Sequence, residues 1–215
     1  DEDVYKIISE EELYSRTGIQ KQSFNTIYQL MAVKKNNPEH LKAAKNFLML
    51  PDYFHFLLTG QKCSEYTNAT STQLINAQTN DWDWELIGRL GYPQEMFLPL
   101  SQPGTLVGSF TKEIEEEVGF SCEVVLPATH DTGSAVMALP GEGDKNLYIS
   151  SGTWSLMGIE NKTAICTEES RKRNFTNEGG YEYRYRYLKN IMGLWMIQSV
   201  RKELENKYSF AELCA

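Results

Sequence analysis

In the first 120 residues, apolar positions recur at the three-to-four-residue spacing of amphipathic helices. The segment "SFNTIYQLMAVKKN" begins at Ser23, a residue type favoured at helix N-caps, and five apolar residues follow on one flank of the predicted helix. They are Phe24, Ile27, Tyr28, Leu30 and Met31. Two further segments, "DWDWELIGRLG" and "TKEIEEEVGF", predict helices that end at Gly91 and Gly119, the second with Thr111 as its cap.

The segment "LPDYFHFLLTG" predicts another helix. Pro51 suits a first helical position, and Gly60 suits the position after the last turn. The spacing of Phe54, Leu57 and Leu58 predicts that these side chains face the interior.

After residue 120 the pattern changes to short apolar runs bounded by glycine, proline and polar residues, which is typical of strands. "CEVVLPA" predicts a buried strand with His130 and Asp131 at its C-terminal end, and "NLYIS" and "TWSLMGIE" predict a hairpin. The alternation in "YEYRYRY" predicts a strand with its four tyrosines on one face. "RYLKNIMGLWMIQSVRKELENK" returns to helical spacing.

Helices followed by strands and a further helix predict an α/β protein. The stretch "LPGEGD", Leu139 to Asp144, lies between the two patterns and predicts a domain boundary, with residues 1–139 in one domain and 140–215 in the next. The chain opens at Asp1 without Met and stops within a helical pattern at "SFAELCA", so we expect it to be part of a longer protein.

Composition limits the class of partner. Hydrophobic residues make up 41% and charged residues 23% of the 215 residues, as in soluble globular proteins, and no apolar run approaches the ~20 residues of a membrane span. The net charge of −8 argues against a nucleic-acid partner, because affinity for its phosphates comes from Lys and Arg. The cysteines form no C-x-x-C pair, so we expect reduced, mostly buried thiols and no metal site. They are Cys63, Cys122, Cys166 and Cys214.

The four residues Asp131 to Ser134 read D-T-G-S, as in the catalytic loop of aspartic proteases. Such a protease needs two carboxylates that share a proton, and this chain carries one such motif, so a dimer would have to supply the second. The helical pattern of the first 120 residues also disfavours the all-β fold of those proteases. The protease hypothesis is therefore the weaker one.

Phosphoryl transfer is the alternative. The chain has neither a G-x-x-x-x-G-K-[ST] loop nor the H-R-D and D-F-G motifs of protein kinases. Other kinases place a carboxylate and a hydroxyl-bearing glycine turn in a cleft between domains. Asp131 is a candidate base there, and "SSGT", Ser150 to Thr153, is a candidate phosphate turn, although those four letters also suit an ordinary β-turn.

Five segments together resemble the FGGY family of sugar kinases. They are "LPDYFHFLLTG", "THDTGSAV", "YISSGTWSLMGIE", "NFTNEGG" and "RYRYLKNIMGLWMIQ", and they occur in the family's order from about Glu12 onward. The resemblance implies an actin-like, ribonuclease H-like pair of α/β domains around a cleft, with residues 1–139 ending the first domain and residues 140–215 beginning the nucleotide-binding domain. It also implies ATP as phosphate donor, used as its Mg²⁺ complex, and a cytoplasmic enzyme.

The resemblance implies a role for each matched residue. Asp131 would be the general base and would contact the sugar together with His130, Thr132 and Asn190. Two further residues would contact ATP, Thr153 through its phosphates and Gln198 from the same helix as Asn190. Each has a structural alternative: His130 could bond backbone, Thr132 could cap a helix, and Asn190 and Gln198 could be solvent-facing polar residues.

The resemblance also implies a substrate, L-rhamnulose phosphorylated at its 1-hydroxyl, with fuculose or xylulose as alternative ketoses. A non-catalytic actin-like nucleotide-binding scaffold remains a further alternative. The family's Asp-x-Gly-x-Thr phosphate loop and its late glycine-rich adenosine segment are not in this sequence. We therefore expect that the 215 residues alone are inactive. Nothing in the sequence indicates an oligomeric state.

Overall fold

The computed structural model describes residues 1–140, 146–152 and 154–214. The α-helices are α1 (Glu2–Tyr5), α2 (Glu10–Thr17), α3 (Thr26–Asn36), α4 (Pro38–Ala43), α5 (Leu50–Thr59), α6 (Tyr66–Thr70), α7 (Trp84–Leu90), α8 (Lys112–Val118), α9 (Asp131–Met137), α10 (Glu168–Lys172), α11 (Trp195–Glu203) and α12 (Phe210–Cys214). The strands are β1 (Ser64–Glu65), β2 (Ile75–Asn76), β3 (Asp81–Trp82), β4 (Leu100–Ser101), β5 (Leu106–Ser109), β6 (Glu123–Val125), β7 (Leu147–Ser151), β8 (Ser155–Asn161), β9 (Thr176–Gly179) and β10 (Tyr185–Asn190). None of the helices in these ranges is both long and apolar enough to cross a membrane.

Most helix ends in the first half follow their sequence signals. Thr111 caps α8, and Gly91 and Gly119 end α7 and α8 in the left-handed conformation at φ 66° and 80°. The cap of α3 was wrongly predicted: the helix starts after Asn25 instead of Ser23. Asn25 is buried and donates to the side chain of Gln73 at 3.0 Å, so a tertiary contact fixes where the helix begins.

Helix α5 runs between the predicted signals, but its buried face is not the predicted one. Phe54 and Leu57 are exposed, whereas Asp52 and Thr59 are buried. The expectation that apolar spacing marks the interior is wrong for this helix, because the buried Asp52 carboxylate accepts from the Glu65 N–H at the end of β1. The apolar side chains point away from the core that the described residues form.

The main hydrophobic core lies within the first 97 residues. Side chains from α1, α3, α6 and α7 surround Trp82, whose ring is tilted against that of Phe97 at 4.8 Å between centroids. The indole N–H of Trp82 donates to the carbonyl of Leu98 at 2.7 Å, so the largest buried ring also has its polar group satisfied.

The second half contains a four-stranded antiparallel sheet in the order β7-β8-β10-β9. The predicted β7–β8 hairpin is confirmed, with Ser151 opposite Ser155 at its tip. The prediction for "YEYRYRY" is only partly right, because Tyr181–Tyr183 forms a 3₁₀ turn and the strand begins at Tyr185. The predicted helix over 186–207 is wrong in its first part: β10 continues to Asn190, and α11 runs from Trp195 to Glu203.

Strand β9 packs against helix α6 of the first half. The Gly179 N–H donates to the Thr70 hydroxyl at 2.9 Å, and a Cβ on Gly179 would lie 2.6 Å from the Thr70 methyl group. Glycine is therefore required for this close approach. The contact brings β9 and β10 beside the start of α9. The predicted domain boundary at 139–144 lies largely outside the described residues.

Candidate active site

Asp131 lies at the start of a helix and not at the end of a strand. The predicted strand shrinks to β6, in which only Val124 is buried, and it pairs with β5. Leu126 still exchanges backbone hydrogen bonds with Gly104 and Thr105, but Pro127 has no N–H to continue the ladder. Four residues after Pro127, Asp131 is the first residue of α9, so the prediction of a strand-end carboxylate is corrected.

Glu65, fully buried at the end of β1, holds the segment before α9. Its carboxylate accepts hydrogen bonds from the backbone N–H groups of Thr67 (2.7 Å), Asn68 (3.1 Å) and Thr129 (3.0 Å). It also accepts from the hydroxyls of Thr67 (2.6 Å) and Thr129 (2.7 Å). Hydrogen bonds to an ionised acceptor are about twice as strong as neutral ones, so this side chain fixes residue 129 against α6.

His130 lies between the two halves of the chain. Its Nε2 is 3.6 Å from the Glu178 carboxylate on β9, and its Nδ1 is 3.4 Å from the Arg186 guanidinium on β10. Arg186 is fully buried and pairs with Glu178 at 3.1 Å. Burial lowers the pKa of His130, and the nearby Arg186 lowers it further, whereas Glu178 acts in the opposite direction. The neutral imidazole is therefore favoured.

Asp131 contrasts with its neighbour, because its side chain is 98% exposed. One carboxylate oxygen accepts from the Thr132 N–H at 2.6 Å and lies 3.6 Å from His130 Nδ1. Thr132 itself is buried and caps no helix, since His130 occupies the N-cap of α9. A carboxylate that is oriented at its base and open to solvent suits a group that must meet a ligand.

The three residues 130–132 line a cavity of about 600 Å³. The opposite side is formed by the tip of the β7–β8 hairpin and the end of β10, with Ser151, Gly152, Trp154 and Asn190. A third side comes from residues 19–25. The volume lies within the usual range of small-molecule sites.

The structure brings four of the six predicted site residues together: His130, Asp131, Thr132 and Asn190. Thr153 lies outside the described residues. Gln198 is exposed on α11 and is not among the cavity residues, and it does not share a helix with Asn190, which ends β10. The prediction of one helix serving both ligands is wrong, because a turn over 191–194 intervenes.

Sequence reasoning missed three residues that position the site: Glu65, Glu178 and Arg186. Glu178 lies in "NFTNEGG" and Arg186 in "YEYRYRY". The alternation of the second segment assigns Arg186 to one face of a strand but does not distinguish it from the other residues on that face. The signal for Glu65 was the sequence "SEYTNAT", an acidic residue ahead of two threonines at a helix start, which is typical of a capping carboxylate.

The polar groups of the described residues that line the cavity are mainly hydroxyl, carboxylate and amide groups. Hydroxyls of Ser150 and Ser151 and the carboxylate of Asp131 give oxygen atoms of the kind that bind Mg²⁺ and sugar hydroxyls. Among the described residues that line it, none is a lysine or arginine, so they provide no cation for ATP phosphates. Mg²⁺, when bound with ATP, would supply that charge neutralisation.

Two sequence profiles match this chain. The profile of the FGGY family of carbohydrate kinases, N-terminal domain, matches residues 2–138, and that of the family's C-terminal domain matches residues 147–214. The chain belongs to the FGGY family of carbohydrate kinases. The family resemblance stated from the five segments is confirmed.

Curated FGGY relatives cover almost the whole chain. A rhamnulokinase of Halalkalibacterium halodurans is 58% identical over 212 residues, 99% of this chain and 45% of that protein. A rhamnulokinase of Bacillus subtilis is 44% identical over 207 residues, 96% of this chain and 42% of that protein. The chain thus spans less than half the length of these relatives.

Solved FGGY-type kinases share the fold. A ligand-bound xylulose kinase from Lactobacillus acidophilus has a TM-score of 0.81 at 20% identity, covering 93% of this chain and 41% of that one. A Plasmodium falciparum glycerol kinase with ADP has a TM-score of 0.78 at 14% identity, covering 98% and 44%. The prediction of an α/β fold of the actin-like sugar-kinase type is confirmed.

Proposed function

We propose that this chain is part of an ATP-dependent kinase that phosphorylates L-rhamnulose at its 1-hydroxyl. The identity to proteins named rhamnulokinase supports the sugar, and family membership supports the reaction class. The observation that carries the proposal is the geometry of Asp131, an exposed carboxylate at a cavity whose neighbouring residues are held by buried hydrogen bonds.

Asp131 is the general base in this proposal. The sugar 1-hydroxyl oxygen attacks the γ-phosphorus of ATP, the bond from that phosphorus to the bridging oxygen breaks, and ADP leaves. The hydroxyl proton passes to the Asp131 carboxylate. Because the transition state is loose, the chain's main task is to position the sugar, and an ordinary carboxylate is a sufficient base.

The remaining residues hold the sugar. His130, kept neutral by burial, has one ring nitrogen that can donate to a sugar hydroxyl while the other accepts. Asn190 offers an amide from the opposite wall, and Thr132 fixes the Asp131 carboxylate through its N–H. Thr153 and Gln198 stay predictions for ATP contacts.

The substrate is tested by ADP release from the full-length protein with L-rhamnulose, L-fuculose and D-xylulose as acceptors. We expect kcat/KM to be highest for L-rhamnulose. A higher kcat/KM for another ketose would change the proposed substrate but would leave the proposed kinase reaction unchanged. No ADP release with any of them, despite ATP binding, would favour the nucleotide-binding scaffold.

The base is tested by Asp131→Asn, with Asp81→Asn as a control at another exposed aspartate. We expect Asp131→Asn to lower kcat by about 10²–10⁴-fold, the usual contribution of a positioned base, with an unchanged melting curve. Wild-type turnover of Asp131→Asn would contradict this assignment, whereas Asp81→Asn should retain full activity.

A further inference from the structure

Three metal-ligating side chains meet away from the cavity, at helix α5. Asp52 and His55 are one helical turn apart on α5, and Cys63 follows the helix just before β1. One carboxylate oxygen of Asp52, one ring nitrogen of His55 and the Cys63 sulfur all lie within 4.8 Å of one another. None of the three lines the candidate active site.

Two of these side chains carry buried polar atoms with no partner among the described residues. Asp52 is fully buried; its Oδ1 accepts from the Glu65 N–H at 3.1 Å and the Met49 N–H also stabilises the carboxylate, but its Oδ2 has no hydrogen-bond partner among the described residues. His55 Nδ1 is likewise buried and without a partner. Buried polar atoms are almost always paired, so two unpaired atoms on side chains of one cluster are consistent with a ligand bound to that cluster.

We propose that Asp52, His55 and Cys63 form a Zn²⁺ site. A thiolate, an imidazole and a carboxylate are the ligand types that zinc combines in tetrahedral sites, and a thiolate disfavours Mg²⁺ and Ca²⁺. Three protein ligands leave a fourth position for water. The expectation of no zinc rested on the missing C-x-x-C pair, and it did not consider a site with one cysteine.

The site would have a structural role. It ties the first turn of α5 to the residues before β1, and the Glu65 N–H that donates to Asp52 belongs to the residue that holds Thr129. Binding of zinc to the folded state alone raises the unfolding temperature with metal concentration. This inference does not depend on the proposed kinase activity.

The test uses the full-length protein, stripped with a chelator and then titrated with Zn²⁺ or with Co²⁺ as a spectroscopic probe. The site variants are Cys63→Ser and His55→Gln. The matched controls are Cys166→Ser, another half-buried thiol whose pKa is raised by burial, and His40→Gln, an exposed histidine. We expect wild type and controls to bind about one more Zn²⁺ equivalent than either site variant.

Co²⁺ should give thiolate charge-transfer absorption in wild type and in both controls, and this absorption should be absent from Cys63→Ser. If Cys63→Ser does not fold, the zinc content of His55→Gln and chelator competition with the wild type still test whether the site binds zinc. Equal zinc content in wild type and site variants would overturn the proposal, and so would a wild type without the cobalt–thiolate band. Loss of that band in Cys166→Ser alone would overturn it too.

Discussion

Two of the three sides of the cavity are built differently. The first wall consists of residues 130–132 and of the segments 64–72 and 128–129 that support them. Buried side chains distant in sequence hold this wall, above all Glu65 through its bonds to Thr129. The second wall, the β7–β8 tip and the end of β10, is held by backbone bonds, such as the Ile191 N–H to the Ser155 carbonyl at 2.7 Å. Its side chains range from exposed, as in Ser151 and Trp154, to half-buried, as in Asn190.

Because of this difference, we expect the first wall to determine stability and the second wall to determine ligand binding. Substitutions in the first wall remove hydrogen bonds that stabilise the fold, so they should affect stability and activity together. Substitutions in the second wall leave backbone bonds in place, so they should change ligand affinity with little change in stability. Four predictions examine that separation, from the largest effect to the smallest.

The largest effect is expected for Arg186→Gln. This change leaves the Glu178 carboxylate without its buried cation, and breaking a buried ion pair on one side costs about 3–5 kcal/mol. Urea unfolding of the full-length protein measures it. The control Arg173→Gln, at an exposed pair with Glu169, should cost less than about 1 kcal/mol. Equal costs for both variants would mean that the buried pair stabilises the β9–β10 pairing no more than an exposed pair does.

The next largest effect is expected for Glu65→Gln. The glutamine amide has only one acceptor oxygen, and its NH₂ group would face the N–H and O–H donors that now bind the carboxylate. We therefore expect the free energy of unfolding to fall by about 2–3 kcal/mol and kcat to fall as well. The control is Glu95→Gln, at an exposed glutamate. If Glu65→Gln were as stable as the wild type but inactive, Glu65 would have a role in the reaction and not in holding the fold.

A smaller effect, mainly on binding, is expected for Asn190→Ala. Loss of one hydrogen bond to a sugar hydroxyl should raise the sugar KM about fivefold to tenfold, equivalent to about 1 kcal/mol. The variant also loses the bond from the Met192 N–H to Asn190 Oδ1 (2.9 Å), so we expect a small loss of stability, below that of Glu65→Gln. Gln198→Ala, off the cavity, should leave the sugar KM unchanged, and its effect on the ATP KM tests the ATP role. If Asn190→Ala lowers stability as much as Glu65→Gln, the two walls do not differ in what holds them.

The smallest effect is a pH dependence that comes from His130. The pKa of His130 is lowered in the folded state, so as the pH falls below about 6.5 this side chain is protonated more readily in the unfolded chain than in the folded one. The neutral His130 therefore makes its full contribution to folding stability at about pH 8, and this contribution declines as the pH falls through about 6.5. His130→Gln should make the change between about pH 8 and about pH 5 smaller, while His55, whose pKa is also lowered, continues to contribute. His40→Gln should keep the wild-type slope, and an unaltered slope in His130→Gln would contradict a lowered pKa of His130.

Local signals predicted much of the fold. Gly91, Gly119 and Thr111 marked helix ends correctly, because a cap or a left-handed residue acts within one turn. The hairpin at Ser151–Ser155 was also correct. These features depend on neighbours in sequence, and periodicity describes such neighbours well.

Contacts between distant residues could not be predicted in this way. The helical spacing after Arg186 was outweighed by pairing of β10 with both β8 and β9, which converts 185–190 to a strand. The start of α3 was set by Asn25 and Gln73. Asp131 lines the cavity, but its position on α9 depends on Glu65, 66 residues earlier in the chain.

The carboxylate of Glu65 has a consequence for hydrogen exchange. The amide protons of Thr67, Asn68 and Thr129 all end on that one side chain, although the last is more than sixty residues from the others. A fluctuation that withdraws Glu65 exposes all three to solvent at once. These amides should therefore share one free energy of opening, and in amide exchange the start of α6 and the residues before the proposed base would form a single opening unit.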